Sequence, residues 1–198
     1  MKLVLASKNK KKLKEMTDIL QHLGVEIVLQ SEIGIDIDVE ETGTTFAENA
    51  FLKAEAVCKA AGMPAIADDS GLVVDALDGR PGVYSARYGG DKCADDIQRY
   101  ELLLAEMEGK ENRSARFVSS ICCVFPDGHT VTSEECCEGY ITCSPAGENG
   151  FGYDPIFGVA GTEVTMAQMT EDEKNLISHR GKAIRAFEEK LRKDGAIC

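Results

Sequence analysis

Two strand–helix units in succession, with a hairpin late in the chain, limit the possible folds more than any other feature of this sequence. "KLVLA" (2–6) has the look of a short buried strand. It is followed by Leu13, Met16, Ile19, Leu20 and Leu23 at helical spacing, ended by Gly24. "VEIVL" (25–29) predicts a second strand. "TGTTFAENAFLKAEAVCKAAGMP" (42–64) predicts a helix, with a capping box in Thr45 and Glu48, a C-cap at Gly62 and a stop at Pro64. "PAIADDSGLVVDAL" reads as strand, acidic turn, strand. A glycine-rich loop, "GRPGVYSARYGGD", precedes an amphipathic helix from Asp95 to Glu108. "ARFVSSICCVF", "PDGH" and "TVTSEECCEGYIT" predict a hairpin. A second glycine-rich loop, "PAGENGFGYDP", leads to a final helix from Thr170 to Lys193, opened by a capping box in Thr170 and Glu173. Early alternation with a late hairpin predicts an α/β fold whose mixed sheet is flanked by helices. No repeat, low-complexity tract or linker divides residues 1–198, so a single domain is expected.

Charge narrows the function. The chain carries a formal net charge of -12, which argues against broad nucleic-acid binding, since that affinity comes from many cationic contacts to phosphate. No apolar run approaches the roughly 20 residues that span a bilayer, and the N-terminus lacks a secretory apolar region. A protein of the cytoplasm, with no membrane partner, is the expectation.

Eight cysteines (Cys58, Cys93, Cys122, Cys123, Cys136, Cys137, Cys143 and Cys198) include no C-x-x-C pair. Cys122, Cys123, His129, Cys136 and Cys137 could be imagined around zinc, but their spacing is wrong for it. Reduced cysteines serving as small hydrophobes are the simpler expectation.

Against the acidic background, five lysines fall between Lys8 and Lys14. They follow the first strand, where a helix starting near Asn9 presents backbone N–H groups and a helix dipole, an arrangement suited to phosphate. Ser7 and Asn9 can add side-chain donors. No glycine is present, so this is neither a P-loop nor a dinucleotide fingerprint. A solvated helix start would explain Lys10, Lys11 and Lys14 equally well.

The acidic counterpart is Asp68-Asp69, after an apolar strand and before Ser70-Gly71. Adjacent strand residues point to opposite faces, so one carboxylate is expected to meet a ligand and the other a structural partner. A turn closed by Asp hydrogen bonds is the plainer reading. A second pair, Glu40-Glu41, precedes Thr42-Gly43. Carboxylates from separate elements, with no histidine nearby, suit Mg²⁺ shared with substrate phosphates. Two helices also place cations on apolar stripes: Lys53 between Ala50 and Val57, and Arg180 between Ile177 and Ile184. Each must be paired, snorkel or meet a ligand. A salt bridge is the plain explanation for Arg180.

Five ordered signals extend over nearly the whole chain: Ser7-x-Asn9-x-x-Lys12-x-x-Glu15, "ETGTTFAENAFLKA", "ADDSGLVVDALDGRPGVYSARY", "GFGYDPIF" and "EKNLISHRGKA". Together they resemble the inosine/xanthosine triphosphate pyrophosphatase family. That resemblance implies an elongated two-lobed α/β domain with an active-site cleft between the lobes, Mg²⁺ dependence and a homodimer. It implies that dITP, ITP or XTP is hydrolysed to the monophosphate and pyrophosphate, clearing deaminated purines from the nucleotide pool. Ser7, Asn9 and Lys12 match the triphosphate motif, with Lys8, Lys10 and Lys11 at its variable positions. Glu41 and Asp69 would hold the metal, Asp69 would activate water, and Ser70 and Lys53 would contact substrate. Phe151, Gly152, Tyr153 and Asp154 would form the base pocket, with Lys174, His179 and Arg180 closing it. Arg180, having only donors, would favour a C6 oxo group over an amino group. Two rivals are a Maf-type pyrophosphatase acting on modified or pyrimidine nucleotides and a non-catalytic nucleotide sensor.

Overall fold

The computed structural model describes residues 1–195; Cys198 lies outside them. Among the described residues a mixed six-stranded sheet has the order β2-β1-β3-β4-β5-β6. Its strands are β1 (Lys2–Leu5), β2 (Glu26–Leu29), β3 (Ala65–Val74), β4 (Ser114–Val124), β5 (Thr130–Ile141) and β6 (Phe157–Val159). β1 runs parallel to β2 and β3, while β6 runs antiparallel to β5. The helices are α1 (Lys10–Leu20), α2 (Phe46–Ala61), α3 (Asp96–Glu106), α4 (Glu171–Ile177) and α5 (His179–Lys193). Both parallel pairings with β1 require a crossover through a helix, α1 or α2, as expected for βαβ connections.

The chain forms two compact units. Among the described residues the first comprises 1–69, 119–135 and 180–195, and the second 70–118 and 136–179. In the first, Leu3, Leu5, Met16, Leu20, Ile66, Ile121, Ile184 and Phe187 form one buried cluster. Val4, Ala50, Ala54, Val57, Cys58 and Cys122 form another. Successive residues of β1 thus enter different clusters, as the alternation of side chains along a strand requires. In the second unit Leu72, Leu103, Phe117, Ile141, Ile156 and Phe157 anchor a third cluster. Among the described residues no disulfide joins the cysteines.

Both expected capping boxes are present: Thr45 accepts from the Glu48 N–H, and Thr170 from the Glu173 N–H. Gly62 ends α2 in the left-handed conformation, φ 62°. Two expectations need correction. Asp68-Asp69-Ser70-Gly71 does not turn but lies within the continuous strand β3; ion pairs described below satisfy the carboxylates that would otherwise have capped a turn. The helix expected from Thr170 to Lys193 breaks at Ser178, whose ψ of 154° is extended, and restarts at His179. Ile177 and Ile184 are therefore not on one continuous stripe. Ile177 packs against the cluster of the second unit, and Ile184 belongs to a cluster of the first.

Candidate active site

In the first unit a network of charges surrounds the Asp68-Asp69 dipeptide. Because β3 continues through both residues, their side chains leave the strand in opposite directions. Asp68 is 3% exposed. Its Oδ2 accepts from Lys12 Nζ at 2.7 Å and Arg180 Nε at 3.2 Å, and its Oδ1 accepts from Ser119 Oγ at 2.5 Å. Arg180, itself 3% exposed, also reaches Glu15 Oε2 through Nη1 at 2.6 Å. Burial alone would raise the Asp68 pKa. Arg180, Lys12 and Ser119 outweigh it and hold the carboxyl well below the usual carboxylate range. The salt-bridge explanation of Arg180 thus has a concrete geometry. Arg180→Ala, which leaves Asp68 and Glu15 without their guanidinium, is expected to cost about 3 kcal/mol of stability. Chemical denaturation measures this; an unchanged midpoint would place the role of Arg180 outside these pairs.

Asp69 meets a different partner. Lys53, on α2, donates from Nζ to Asp69 Oδ1 at 2.7 Å, to Glu41 Oε1 at 2.9 Å and to the Asp68 carbonyl at 3.2 Å. Lys12 Nζ reaches that carbonyl too, at 3.1 Å. Burial raises the Asp69 pKa, and Lys53 offsets only part of the rise. For Lys53 burial works against the charge, but Asp69 and Glu41 prevail and its pKa is raised. Lys12 is opposite in sense: burial lowers its pKa, Asp68 opposes, and the neighbouring Arg180 and Lys53 lower it further. Lys12 shares the Asp68 Oδ2 with Arg180, and an anionic ligand would add a further countercharge.

The start of α1 is arranged as expected in outline but not in detail. Asn9 is the N-cap, and its Oδ1 accepts from the N–H groups of Lys11 and Lys12. Ser7 Oγ accepts from the Asn9 N–H at 3.1 Å. The backbone donors expected to face phosphate are therefore held by the motif's own side chains. Lys8 pairs with Asp36 at 2.7 Å on the surface, and Lys10 and Lys11 are exposed. Of the lysine run, Lys12 is the one drawn into the charge network.

The remaining candidates belong to the second unit. Ser70, next to Asp69 in sequence, is half-buried. Asp154 Oδ2 accepts from the Phe151 N–H at 2.9 Å and from Lys174 Nζ at 2.7 Å, closing the loop on itself. Lys174 Nζ also lies 4.8 Å from the centroid of the Phe151 ring. Gly150, at φ 80°, is required here, because a Cβ would stand 2.0 Å from Asp154 Oδ2. The Tyr153 ring is turned away from the loop surface. The residue is 5% exposed, lies in the core cluster, and donates its hydroxyl to the Ser85 carbonyl at 2.8 Å. His179 stacks on Phe117, with centroids 4.8 Å apart and planes 16° apart.

Sequence reasoning assigned no site role to Ser119, Glu15 or Asp96. Ser119 had a signal, since "VSSI" places serines inside an apolar strand where a buried hydroxyl needs a partner. Glu15 follows Lys12 by one helical turn. Asp96, which accepts from the Gly152 N–H at 2.9 Å, carried none beyond its place at a helix start.

Comparison with known proteins supplies the decisive observation: a profile of the Ham1 family matches residues 3–190. The chain belongs to the Ham1 family. Curated relatives share its full extent. A dITP/XTP pyrophosphatase of Bacillus subtilis is 49% identical over 95% of this chain and 96% of its own. One of Haemophilus influenzae is 48% identical over 96% and 98%. Among solved structures, the Staphylococcus aureus Ham1 protein superposes with TM-score 0.90 at 43% identity, covering 98% of this chain and 100% of its own. A HAM1 protein from Coxiella burnetii gives 0.91 at 41%, covering 98% and 99%. The mixed sheet with its flanking helices is thus the Ham1 architecture.

Among the described residues no group of three or more His, Cys, Asp or Glu converges as a metal site. Glu41 and Asp69, from separate elements, both present oxygens to one positive centre, the Lys53 ammonium. Two hard carboxylates completed by water and phosphate oxygens fit Mg²⁺ and suit zinc poorly.

Proposed function

We propose that this chain is a Mg²⁺-dependent nucleoside triphosphate pyrophosphatase. It converts dITP, ITP or XTP to the corresponding monophosphate and pyrophosphate, and so removes deaminated purines from the nucleotide pool. The observation that carries this reading is the convergence of Glu41 and Asp69 on one cationic centre beside the Lys12 ammonium. The names borne by the B. subtilis and H. influenzae relatives support it.

Glu41 and Asp69 would hold Mg²⁺, which neutralises phosphate charge and lowers the pKa of water. Lys53, relieved of its carboxylates, turns its ammonium to a phosphate oxygen. Lys12, beside the same Asp68 carbonyl as Lys53, takes another, together with the Ser7–Lys12 segment including Lys8, Lys10 and Lys11. Asp69, its pKa raised by burial, accepts the proton of the attacking water. Ser70 contacts substrate. Phe151, Gly152, Tyr153, Asp154, Lys174, His179 and Arg180 are assigned to the base. Phe151, half-buried over Lys174, offers the stacking surface, and Tyr153 contributes through its backbone. A cytoplasmic homodimer acting on free nucleotides, not on nucleic acid, accompanies this reading. Among the described residues no helix is long and apolar enough to cross a membrane.

Rates of pyrophosphate release across a nucleoside triphosphate panel test the assignment. With Mg²⁺ the expected order places dITP, ITP and XTP well ahead of ATP, GTP and the pyrimidine nucleotides. Preference for modified pyrimidines would favour the Maf-type rival, and tight binding without turnover would favour a sensor.

A further inference from the structure

Helix α2 grips the segment just before it with three side chains. Lys53 holds Glu41, as described above. Glu48 Oε2 accepts from the Thr44 N–H at 2.7 Å, the Thr44 hydroxyl at 2.9 Å and the Thr45 N–H at 3.1 Å. Asn49 Oδ1 accepts from the Gly43 N–H at 2.8 Å. Asn49 and Lys53 are one turn apart, on the same face of the helix.

Asn49 is an unusual occupant of its position. It is fully buried, and among the described residues its Nδ2 has no hydrogen-bond partner. An apolar residue would fill this volume without leaving a donor unmet. What the amide supplies is the acceptor for Gly43, and the oxygen must face that N–H because the nitrogen cannot accept. The approach is tight: a Cβ on Gly43 would stand 2.7 Å from Asn49 Oδ1 and 2.7 Å from Glu48 Cβ. Asn49 and Gly43 therefore fit each other at a spacing that no larger residue at 43 could occupy.

We propose that Asn49 is a positioning residue for the metal: by holding the Thr42–Gly43 peptide against α2, it keeps the Glu41 carboxylate where it can share a cation with Asp69. The proposal rests on reading Glu41 as a metal ligand. A cation between Glu41 and Asp69 competes with the Lys53 ammonium for the same oxygens, so metal binding loosens that grip on the segment. It leaves the Asn49–Gly43 bond intact. Asn49 thus anchors Glu41 in the state in which Lys53 no longer does.

The test is Mn²⁺ binding to the whole chain, read from the electron paramagnetic resonance signal of the free ion, with Mg²⁺ half-saturation of turnover as a second readout. Asn49→Leu and Gly43→Ala, which break one bond from its two ends, are expected to weaken Mn²⁺ binding about 10-fold or more. Turnover at saturating Mg²⁺ should fall much less. Thr45→Ala removes the cap from the same helix end; it should lower the melting temperature while leaving Mn²⁺ affinity unchanged. Wild-type affinity in folded Asn49→Leu would overturn the proposal, as would an equal loss in Thr45→Ala. Should Asn49→Leu fail to fold, Gly43→Ala decides, and unaltered affinity there overturns the proposal. Glu41→Gln separates the two levels. If it binds Mn²⁺ like wild type, the metal-ligand reading falls and the proposal with it. If it loses Mn²⁺ while the Asn49 and Gly43 variants do not, only the positioning role is wrong.

Discussion

Asp69→Asn is expected to lose turnover on dITP by a factor on the order of 10²–10⁴ while remaining folded. The substitution keeps the shape of the side chain but removes the proton acceptor and one metal charge. Folding should survive, because Lys53 retains Glu41 and the Asp68 carbonyl as partners. A base that must be deprotonated makes activity climb with pH through its pKa, and the variant should lack that limb. Steady-state rates from acid to neutral pH, with circular dichroism of the same samples, measure both effects. Near-normal turnover in Asp69→Asn, with folded but inactive Asp68→Asn, would exchange the two roles.

Asp68→Asn should act on stability instead. Asp68 is the anion that Lys12, Arg180 and Ser119 all address, and replacing it leaves Lys12 and Arg180 buried without their shared countercharge. Removing one partner of a buried ionic group costs about 3–5 kcal/mol, which for a chain of this size lowers the melting temperature by about 6–20 °C. The pH dependence has a definite sign. The folded pKa of Asp68 lies below its unfolded value, near 3.9. Its contribution is therefore complete above that unfolded value and is lost as pH falls toward the folded one. Wild type should lose stability over that acid window more steeply than Asp68→Asn, as denaturation at successive pH values would show. Parallel slopes would mean that the ion pairs contribute little.

What the sequence disclosed and what it withheld divide on physical grounds. Helix α2 was legible from Thr45 to Gly62 because its signals are local: a capping box at one end and a left-handed glycine at the other. The opposite fates of Asp68 and Asp69 were legible too, since strand geometry alone separates adjacent side chains. The break at Ser178 was not. Neither proline nor glycine marks it, and its extended ψ accompanies a change of core, from the cluster that Ile177 touches to the one that holds Ile184. The motif singled out Lys12 from Lys10 and Lys11, but not its partner: only the fold shows that this lysine reaches β3, at the Asp68 carboxylate and carbonyl. For Tyr153 the glycine-rich loop left a stacking face and a core aromatic both open; its ring went to the core and its hydroxyl to Ser85.

The site account predicts one bond to be cut. On the proposed reading, charge neutralised around Lys12 and Lys53, with a cation on Glu41 and Asp69, would serve departure of pyrophosphate as a unit. Following the reaction of dITP with Mg²⁺ by ³¹P nuclear magnetic resonance reads the products directly. Deoxyinosine monophosphate and pyrophosphate in equal amounts are the predicted result; deoxyinosine diphosphate and orthophosphate would contradict it.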